Sequence, residues 1–499
     1  MAKAIMVQGT TSNAGKSLLT AALCRIFRQD GYRVAPFKAQ NMALNSYITV
    51  DGMEMGRAQV MQAEAAGVAP DVRMNPILLK PTSDSGSQVI VNGKPIGNRS
   101  AAAYYAEKAA LRPLVQQAYD SLAAEYDIIV IEGAGSPAEI NLKQDDLVNM
   151  GMAKMAQAPV LLVGDIDRGG VFAALYGTVA LLDEEERTLV KGLVVNKFRG
   201  DVEILRPGLS MLTDLVHKPV LGVVPYTVLD LDDEDSLSER LSSKSSPALV
   251  KIAVPRLPRL SNFTDLNALA RIEGVRVQYV SRPDELADAD LIVLPGSKNT
   301  MDDLRWMRQN GLETQICKCA AAGVPVFGVC GGYQMMGRRI SDPAGTESGG
   351  ELAGMGLLPT ETVFEPEKMT TQVQGQVLPT QGVLSALGGA TLTGYEIHMG
   401  RTTRMGGAPL TVIDRGGMRI EDGCQYDSCY GTYVHGIFDS EAVAKAIVAT
   451  LLKRKGYAAD AVMAFDSEAY KQAQYDKLAQ VVRASLDMER VYQILQEGV

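Results

Sequence analysis

Two stretches of the chain place reactive residues at spacings that could do chemistry. The first is FGVCGGYQMMG, residues 327–337, which sets Cys330 among glycines. The run before it, Val324 to Val329, is short and apolar, as a buried parallel strand should be. The run after it, Tyr333 to Ile340, suits a helix. The cysteine is therefore predicted at a sharp strand-to-helix turn, with Gly328 and Gly331 supplying its strained dihedrals. Helical N–H groups beside the sulfur would favour a thiolate. The competing reading is a small cysteine packed in a core. The second stretch is GTTSNAGKS, residues 9–17, which follows an apolar strand pattern and precedes the helical pattern SLLTAALCRIFRQDG. That context is what a phosphate-binding loop needs. Gly9, Thr10, Asn13 and Gly15 would line phosphate oxygens, Lys16 would reach between phosphates, and the Ser17 hydroxyl could bind Mg²⁺. Five residues separate Gly9 from Gly15, one more than in the commonest form.

Further polar residues stand at predicted strand ends, where ligands of open parallel sheets sit. Glu132 in IEGAGSPAE and Asp165 in VGDIDRGG could support a divalent cation, or simply cap the turns that follow. Asn196 in VVNKFRGD offers an amide donor and acceptor to an adenine edge. Lys38, after VAPF, would be a cation near an acid to be activated.

The elements that must position these residues follow from a chain of 499 residues, too long for one core. Residues 1–225 alternate apolar strands (4–9, 33–37, 127–133, 159–165, 192–196, 219–225) with helical stretches, the pattern of a doubly wound parallel sheet. Residues 231–247, acidic and serine-rich, read as a linker. A second α/β alternation runs from 248 to about 440, with strands near 249–257, 276–280, 290–299 and 324–330. Residues 441–499 read as a helical extension packed on that second domain, its first helix closed by Gly456. The predicted class is thus α/β, with two doubly wound parallel-sheet domains and a helical C-terminal extension.

A net charge of −9 argues against a phosphate-backbone binder, so no nucleic-acid partner is expected. No apolar run has the length of a membrane span. Six cysteines and three histidines form neither a disulfide framework nor a zinc pattern, and the free thiols are read as cytoplasmic.

Residues 1–230 resemble the dethiobiotin synthetase-type ATPase group, which shares the GT-x5-GK[ST] spacing of the loop, binds ATP and Mg²⁺, and activates carboxylates. More narrowly, PFKAQNMALNSY (36–47), GRAQVMQAEAAGVAP (56–70), NPILLKPTSDSGSQVIVNGK (75–94) and EGAGSPAEINL (132–142) resemble the cobyric acid synthase family, over essentially the whole chain. That resemblance implies ATP- and glutamine-dependent amidation of the b, d, e and g carboxylates of adenosylcobyrinic acid a,c-diamide, in cobalamin biosynthesis. Asn41, Asn45 and Tyr47, in the QNMALNSY stretch, are the implied substrate residues. Asp146 in KQDDLVNMGMA is a further one, or else an N-cap. A homodimer is left open.

The Cys330 elbow resembles the nucleophile of triad-type glutamine amidotransferases. The thiolate would attack the glutamine amide, release ammonia and leave a thioester for water to cleave. His435 in YGTYVHGIF, about a hundred residues downstream, is the implied base. Gly331 and Gly296 (in LPGSKNT) are the implied oxyanion donors. The glutamate that family triads carry two residues after the histidine is absent, since Ile437 stands there, and the orienting group is left open. His398 in GYEIHMGRT competes as base. Two rivals stand beside this reading: the enzyme that amidates the a and c carboxylates of the same ring, and a ParA-like switch ATPase with an inactive glutaminase domain.

Overall fold

The computed structural model describes residues 2–82, 86–232, 248–458 and 467–499. The first half is built on six parallel strands, in the order Val220–Pro225, Val190–Phe198, Val160–Asp165, Lys3–Gly9, Ile128–Glu132 and Val34–Phe37. Strands Ile128–Glu132 and Val160–Asp165 are buried at every position, as a sheet covered on both faces requires. The register sets Gly9 beside Val163 and Val7 beside Glu132. Three neighbouring strands therefore deliver the phosphate loop, Glu132 and Asp165 to one end of the sheet.

Two further sheets, one of four strands and one of six, were not anticipated by the alternation. One, in the first half, joins Gln40–Met42, Ile77–Pro81, Gly86–Val91 and Lys94–Ser100. Its hairpin turns at Asn92 and Gly93, with φ of 45° and 75°, the paired positive values that suit a two-residue turn between twisted strands. The other is mainly antiparallel and centres on the long pair Thr360–Val377 and Thr391–Arg404.

The second parallel sheet runs Val275–Val280, Val250–Pro255, Leu291–Leu294, Val326–Val329 and Cys429–Thr432, with Cys424–Tyr426 as an antiparallel edge. The helix after Cys330 is shorter than the pattern predicts: it spans Gly331–Met336, and Ile340 lies in strand Arg339–Asp342. Gly337 allows this change. A Cβ there would stand 2.9 Å from the Thr360 carbonyl oxygen, so only glycine lets the chain turn into the pairing of Arg339 with Glu361.

The predicted packing of the C-terminal segment is corrected as well. Helix Glu441–Arg454 stays with the second domain, burying Val443, Ile447 and Leu451, with Gly456 just beyond it at φ 82°. Helices Ser467–Ser485 and Met488–Glu497 pack on the first domain instead. Tyr475, Val482, Val491 and Ile494 share a core with Leu23 and Phe27 of helix Lys16–Gln29. Arg25 pairs with Asp476 at 2.8 Å and Arg483 with Asp30 at 2.8 Å. An apolar stripe reveals that a helix must bury a face, but not which surface receives it. The start of the predicted linker is also structured. Leu231 and Asp232 are buried, and Asp232 accepts hydrogen bonds from Arg57 at 2.8 Å and Asn267 at 2.5 Å. The rest of it, 233–247, lies outside the described residues.

Ile494 is 1% exposed. Ile494→Ala should cost about 2–5 kcal/mol, the range for truncating a buried isoleucine. Hydrogen exchange should locate the loss in helix Lys16–Gln29; a loss confined to the second domain would contradict this packing.

Candidate active site

The phosphate loop ends at Gly15, whose φ of 91° opens helix Lys16–Gln29. Its neighbours brace it. The Thr10 N–H donates to the Val163 carbonyl at 2.9 Å, and Lys197 Nζ donates to the carbonyl of Asn13, itself at φ 61°, at 2.6 Å. Lys16 Nζ donates to the carbonyls of Thr11 (3.0 Å) and Gly135 (3.1 Å). Asn196 Nδ2 donates to the Ala14 carbonyl at 2.9 Å, so one of its two N–H groups serves the loop. A Cβ at Gly15 would come within 2.1 Å of that nitrogen. Beyond the loop, Leu18, Asn196, Pro225 and Tyr226 wall a cleft, closed on one side by Leu478 and Val481 of the C-terminal helix.

Glu132 gathers the cations and donors at the strand ends. Its Oε1 accepts from Ser17 Oγ and from Lys38 Nζ, both at 2.9 Å, and its Oε2 accepts from Gln62 at 2.5 Å. Burial alone would raise this carboxyl, but the Lys38 ammonium and the Gln62 amide hold it below the usual range. Lys38 is thus paired with Glu132. Asp165 Oδ1 accepts the Asp167 N–H at 2.9 Å, and Oδ2 lies 3.2 Å from Lys197 Nζ. Ser17 and Glu132 give the oxygen donors that suit a hard cation otherwise held by phosphate and water. Among the described residues, no three His, Cys, Asp or Glu side chains gather into a protein-only metal cage.

In the second domain Cys330 precedes helix Gly331–Met336 with φ 52° and ψ −108°. A non-glycine residue held there costs about 1–3 kcal/mol and marks a functional position. The strain falls on the cysteine itself, not on the glycines. Gly328, Gly331 and Gly332 are needed for space: a Cβ on each would lie 2.7 Å from Tyr333 N, 2.8 Å from Ser297 N and 2.0 Å from the Leu294 carbonyl oxygen. Gly296 is less tightly confined, 3.0 Å from Ser261 Oγ and 3.1 Å from the His435 ring by the same measure.

Cys330 and His435 line one pocket. Asp265, which the sequence reading missed, supplies the orienting group: its Oδ2 lies 2.7 Å from His435 Nδ1, and its Oδ1 accepts the Gly436 N–H at 2.9 Å. Tyr395 stacks on the imidazole, 5.4 Å between ring centres. Burial works to lower the histidine, yet Asp265 and Cys330 push it up to about 10. These neighbours favour the imidazolium, with one ring N–H on Asp265 and the other toward the Cys330 sulfur. His398 lines the same pocket, but its Nδ1 sits 2.8 Å from the Gly400 carbonyl, its ring stacks on Tyr433, and its Nε2 lies 3.6 Å from Glu396.

The remaining sequence candidates lie elsewhere. Asp146 accepts the N–H groups of Val148, Asn149 and Gly151 at 2.8–3.0 Å, and so ties down the turn before helix Met150–Ala156. Asn41 is buried and donates to Gln59 at 3.0 Å. Asn45 accepts from Thr264 at 3.3 Å, and Tyr47 meets Tyr395 edge to face, so both stand on the contact with the second domain.

Residues 5–237 match the family described as CobQ/CobB/MinD/ParA nucleotide binding domain, and residues 251–443 match CobB/CobQ-like glutamine amidotransferase domain. Over its full length the chain is 62% identical to the cobyric acid synthase of Ruminiclostridium cellulolyticum, covering 98% of that protein. The corresponding figures are 56% identity and full coverage of both chains for the enzyme of Lachnoclostridium phytofermentans, and 52%, with 98% of this chain and 99% of the relative, for that of Alkaliphilus metalliredigens. The chain belongs to the cobyric acid synthase family. Membership matches a nucleotide loop at the first site and a glutaminase pocket at the second, in the same order along the chain.

Asp265→Asn keeps the side chain's size and removes its charge. Glutamine hydrolysis should fall by roughly 10²–10⁴-fold, the range for disabling a general acid or base. Because the carboxylate raises His435, its loss should lower the imidazolium pKa and shift the alkaline limb of the kcat/KM profile to lower pH. An unchanged limb would show that Asp265 does not act on His435.

Proposed function

We propose that this chain couples glutamine hydrolysis at Cys330 to ATP- and Mg²⁺-dependent amidation of the b, d, e and g carboxylates of adenosylcobyrinic acid a,c-diamide, giving adenosylcobyric acid. The observation that carries this reading is the Cys330–His435–Asp265 array, set at a seam with the domain that holds the phosphate loop. Residues 1–230 act as the synthetase unit and 248–440 as the glutaminase unit.

On the glutaminase side the thiolate attacks the amide carbon. The N–H groups of Gly331 and Gly296 receive the developing oxyanion. The His435 imidazolium gives its proton to the departing nitrogen, then serves as base for the water that cleaves the thioester. Asp265 keeps the ring in the right tautomer through both steps. On the synthetase side the loop from Gly9 to Ser17 cradles phosphates, Lys16 exchanges its two carbonyl partners for phosphate oxygens, and Asn196 meets the base edge. Ser17 and Glu132, with Asp165 on the other flank, would hold Mg²⁺ beside ATP, which when bound would supply the phosphoryl group that activates a carboxylate as an acyl phosphate. Ammonia is nucleophilic only while unprotonated, and at neutral pH in bulk water it is mostly protonated. Transfer within the protein preserves it and keeps water from the acyl phosphate.

Incubation of cobyrinic acid a,c-diamide with ATP, Mg²⁺ and glutamine should yield a product with four OH-to-NH₂ exchanges by mass spectrometry. Cys330→Ala should abolish amidation with glutamine, and ammonium salt at mildly alkaline pH should restore it. No rescue, in a folded variant that binds ATP, would count against separable sites; undiminished glutamine activity would reduce the cysteine to packing.

A further inference from the structure

Two cations of the first domain stand near the acid-activating end with no anion in contact. Lys108 closes helix Ala101–Lys108 and is 6% exposed, a burial that lysine rarely accepts without a partner. Among the described residues no carboxylate oxygen lies within 4 Å of its ammonium, which sits 5.5 Å from the centre of the Tyr105 ring. Arg112 opens the next helix, Arg112–Glu125. Its exposed guanidinium donates to the Asp146 carbonyl at 3.3 Å, and it too has no carboxylate within 4 Å among the described residues. The Asp146 carboxylate is turned to the N–H groups of Val148, Asn149 and Gly151 instead.

Both cations are tied to the phosphate end of the loop. The Asp146 turn runs into Asn149, whose side chain accepts the Ala134 N–H at 3.1 Å and donates to the Ala134 carbonyl at 2.7 Å. The next carbonyl, that of Gly135, accepts from Lys16. From the other side, Tyr104 of the Lys108 helix donates to Gln40, which follows closely on Lys38. The Lys108 helix is therefore anchored beside Lys16 and Lys38. Exposed apolar side chains lie on the same elements: Tyr105 on the helix, and Ile140 and Leu142 on the turn Ile140–Asp145.

An enclosed cation is costly unless an anion meets it. Burial pulls Lys108 below its ordinary value against the attraction of Asp146 and Asp145, and the Arg112 charge adds to that fall. A ligand carboxylate would answer both cations at once. The substrate of the amidation carries several carboxylates around a largely apolar ring, and only one of them can stand at the phosphate at a time.

We propose that Lys108 and Arg112 hold a second carboxylate of the corrin while the first is activated beside Lys16, with Tyr105 and Ile140 against the body of the ring. The assignment rests on the amidation reading above. Neither cation meets the reacting carboxylate: the pair binds the ring and orients it. It therefore selects a polyanionic ring, and its hold weakens as carboxylates become neutral amides.

The test uses the full chain with cobyrinic acid a,c-diamide, ATP, Mg²⁺ and ammonium salt as the nitrogen source, so that the glutaminase does not enter the measurement. Lys108→Met should raise the KM for the corrin by about tenfold to hundredfold, the factor for one charge-assisted contact, and leave the KM for ATP within about twofold. Arg112→Met should act in the same direction, nearer the lower figure because the guanidinium is exposed. Lys108→Arg, which keeps the charge, should recover most of the affinity. Arg112→Met decides the matter if Lys108→Met does not fold. If both methionine variants leave the corrin KM within about twofold, or raise the KM for ATP in step with it, the subsite is wrong and the amidation reading stands. If the unmodified chain amidates no corrin carboxylate, the amidation reading falls and the subsite with it.

Discussion

One side-chain amide joins the two halves of the molecule at the point where catalysis depends on it. Asn262 Nδ2 donates to the Ser46 carbonyl of the first domain at 3.0 Å and to the Tyr395 hydroxyl of the second at 2.9 Å. Asn262 sits at φ 50°, a conformation asparagine tolerates better than most residues, and it leads into the turn that carries Asp265. Tyr395 in turn lies on the His435 ring and also donates to Ser46. The carboxylate that orients the base and the aromatic ring that covers it are therefore fixed by the same contact that docks the synthetase domain. An isolated second domain would keep Cys330 on its elbow and Asp265 on His435, but Asn262 and Tyr395 would lose the Ser46 carbonyl.

The seam carries buried ion pairs beside its neutral contacts. Arg57 pairs with buried Asp232 at 2.8 Å, and Lys368 of the second domain with buried Glu54 of the first at 2.5 Å. Removing one member of such a pair leaves an uncompensated buried charge, which typically costs about 3–5 kcal/mol. Buried pairs add little to stability in return for their desolvation, but they admit few alternative dockings. Lys298, beside Cys330, has no carboxylate within 4 Å among the described residues.

Much of this was legible in the sequence. The phosphate loop, ten of the eleven parallel strands on which the domains are built (all but Cys429–Thr432), and the cysteine elbow follow from apolar runs and glycine placement, because a buried parallel strand announces itself locally. Two features were legible but overlooked. Asn92-Gly93 between alternating residues is a strong hairpin signal, and TTQVQGQV, within 370–377, alternates as a half-exposed strand should. Other features could not be read locally at all. Asp265 precedes His435 by 170 residues, so a search confined to the neighbourhood of the histidine could not find it. The polar run SNFTD (261–265), just past a predicted strand, was the available signal. The docking of the last two helices depends on a receiving surface some 450 residues away, as the Arg25–Asp476 pair illustrates. Asp146 and Asn196 exposed a different limit: a polar side chain at a strand or loop end reads alike whether it serves the backbone or a ligand.

Lys80, Lys298 and Lys368 around Cys330 bear on how ammonia leaves. In the proposed mechanism the departing nitrogen is released as NH₃ once His435 has given its proton. An ammonium ion formed at that point would lie close to Lys298, Lys368 and Lys80, and like charges nearby lower the pKa of a cation. Burial acts in the same direction. The pocket therefore disfavours trapping the product as NH₄⁺. Seen this way, the positive surplus is compatible with the glutaminase step because the species that must move is neutral.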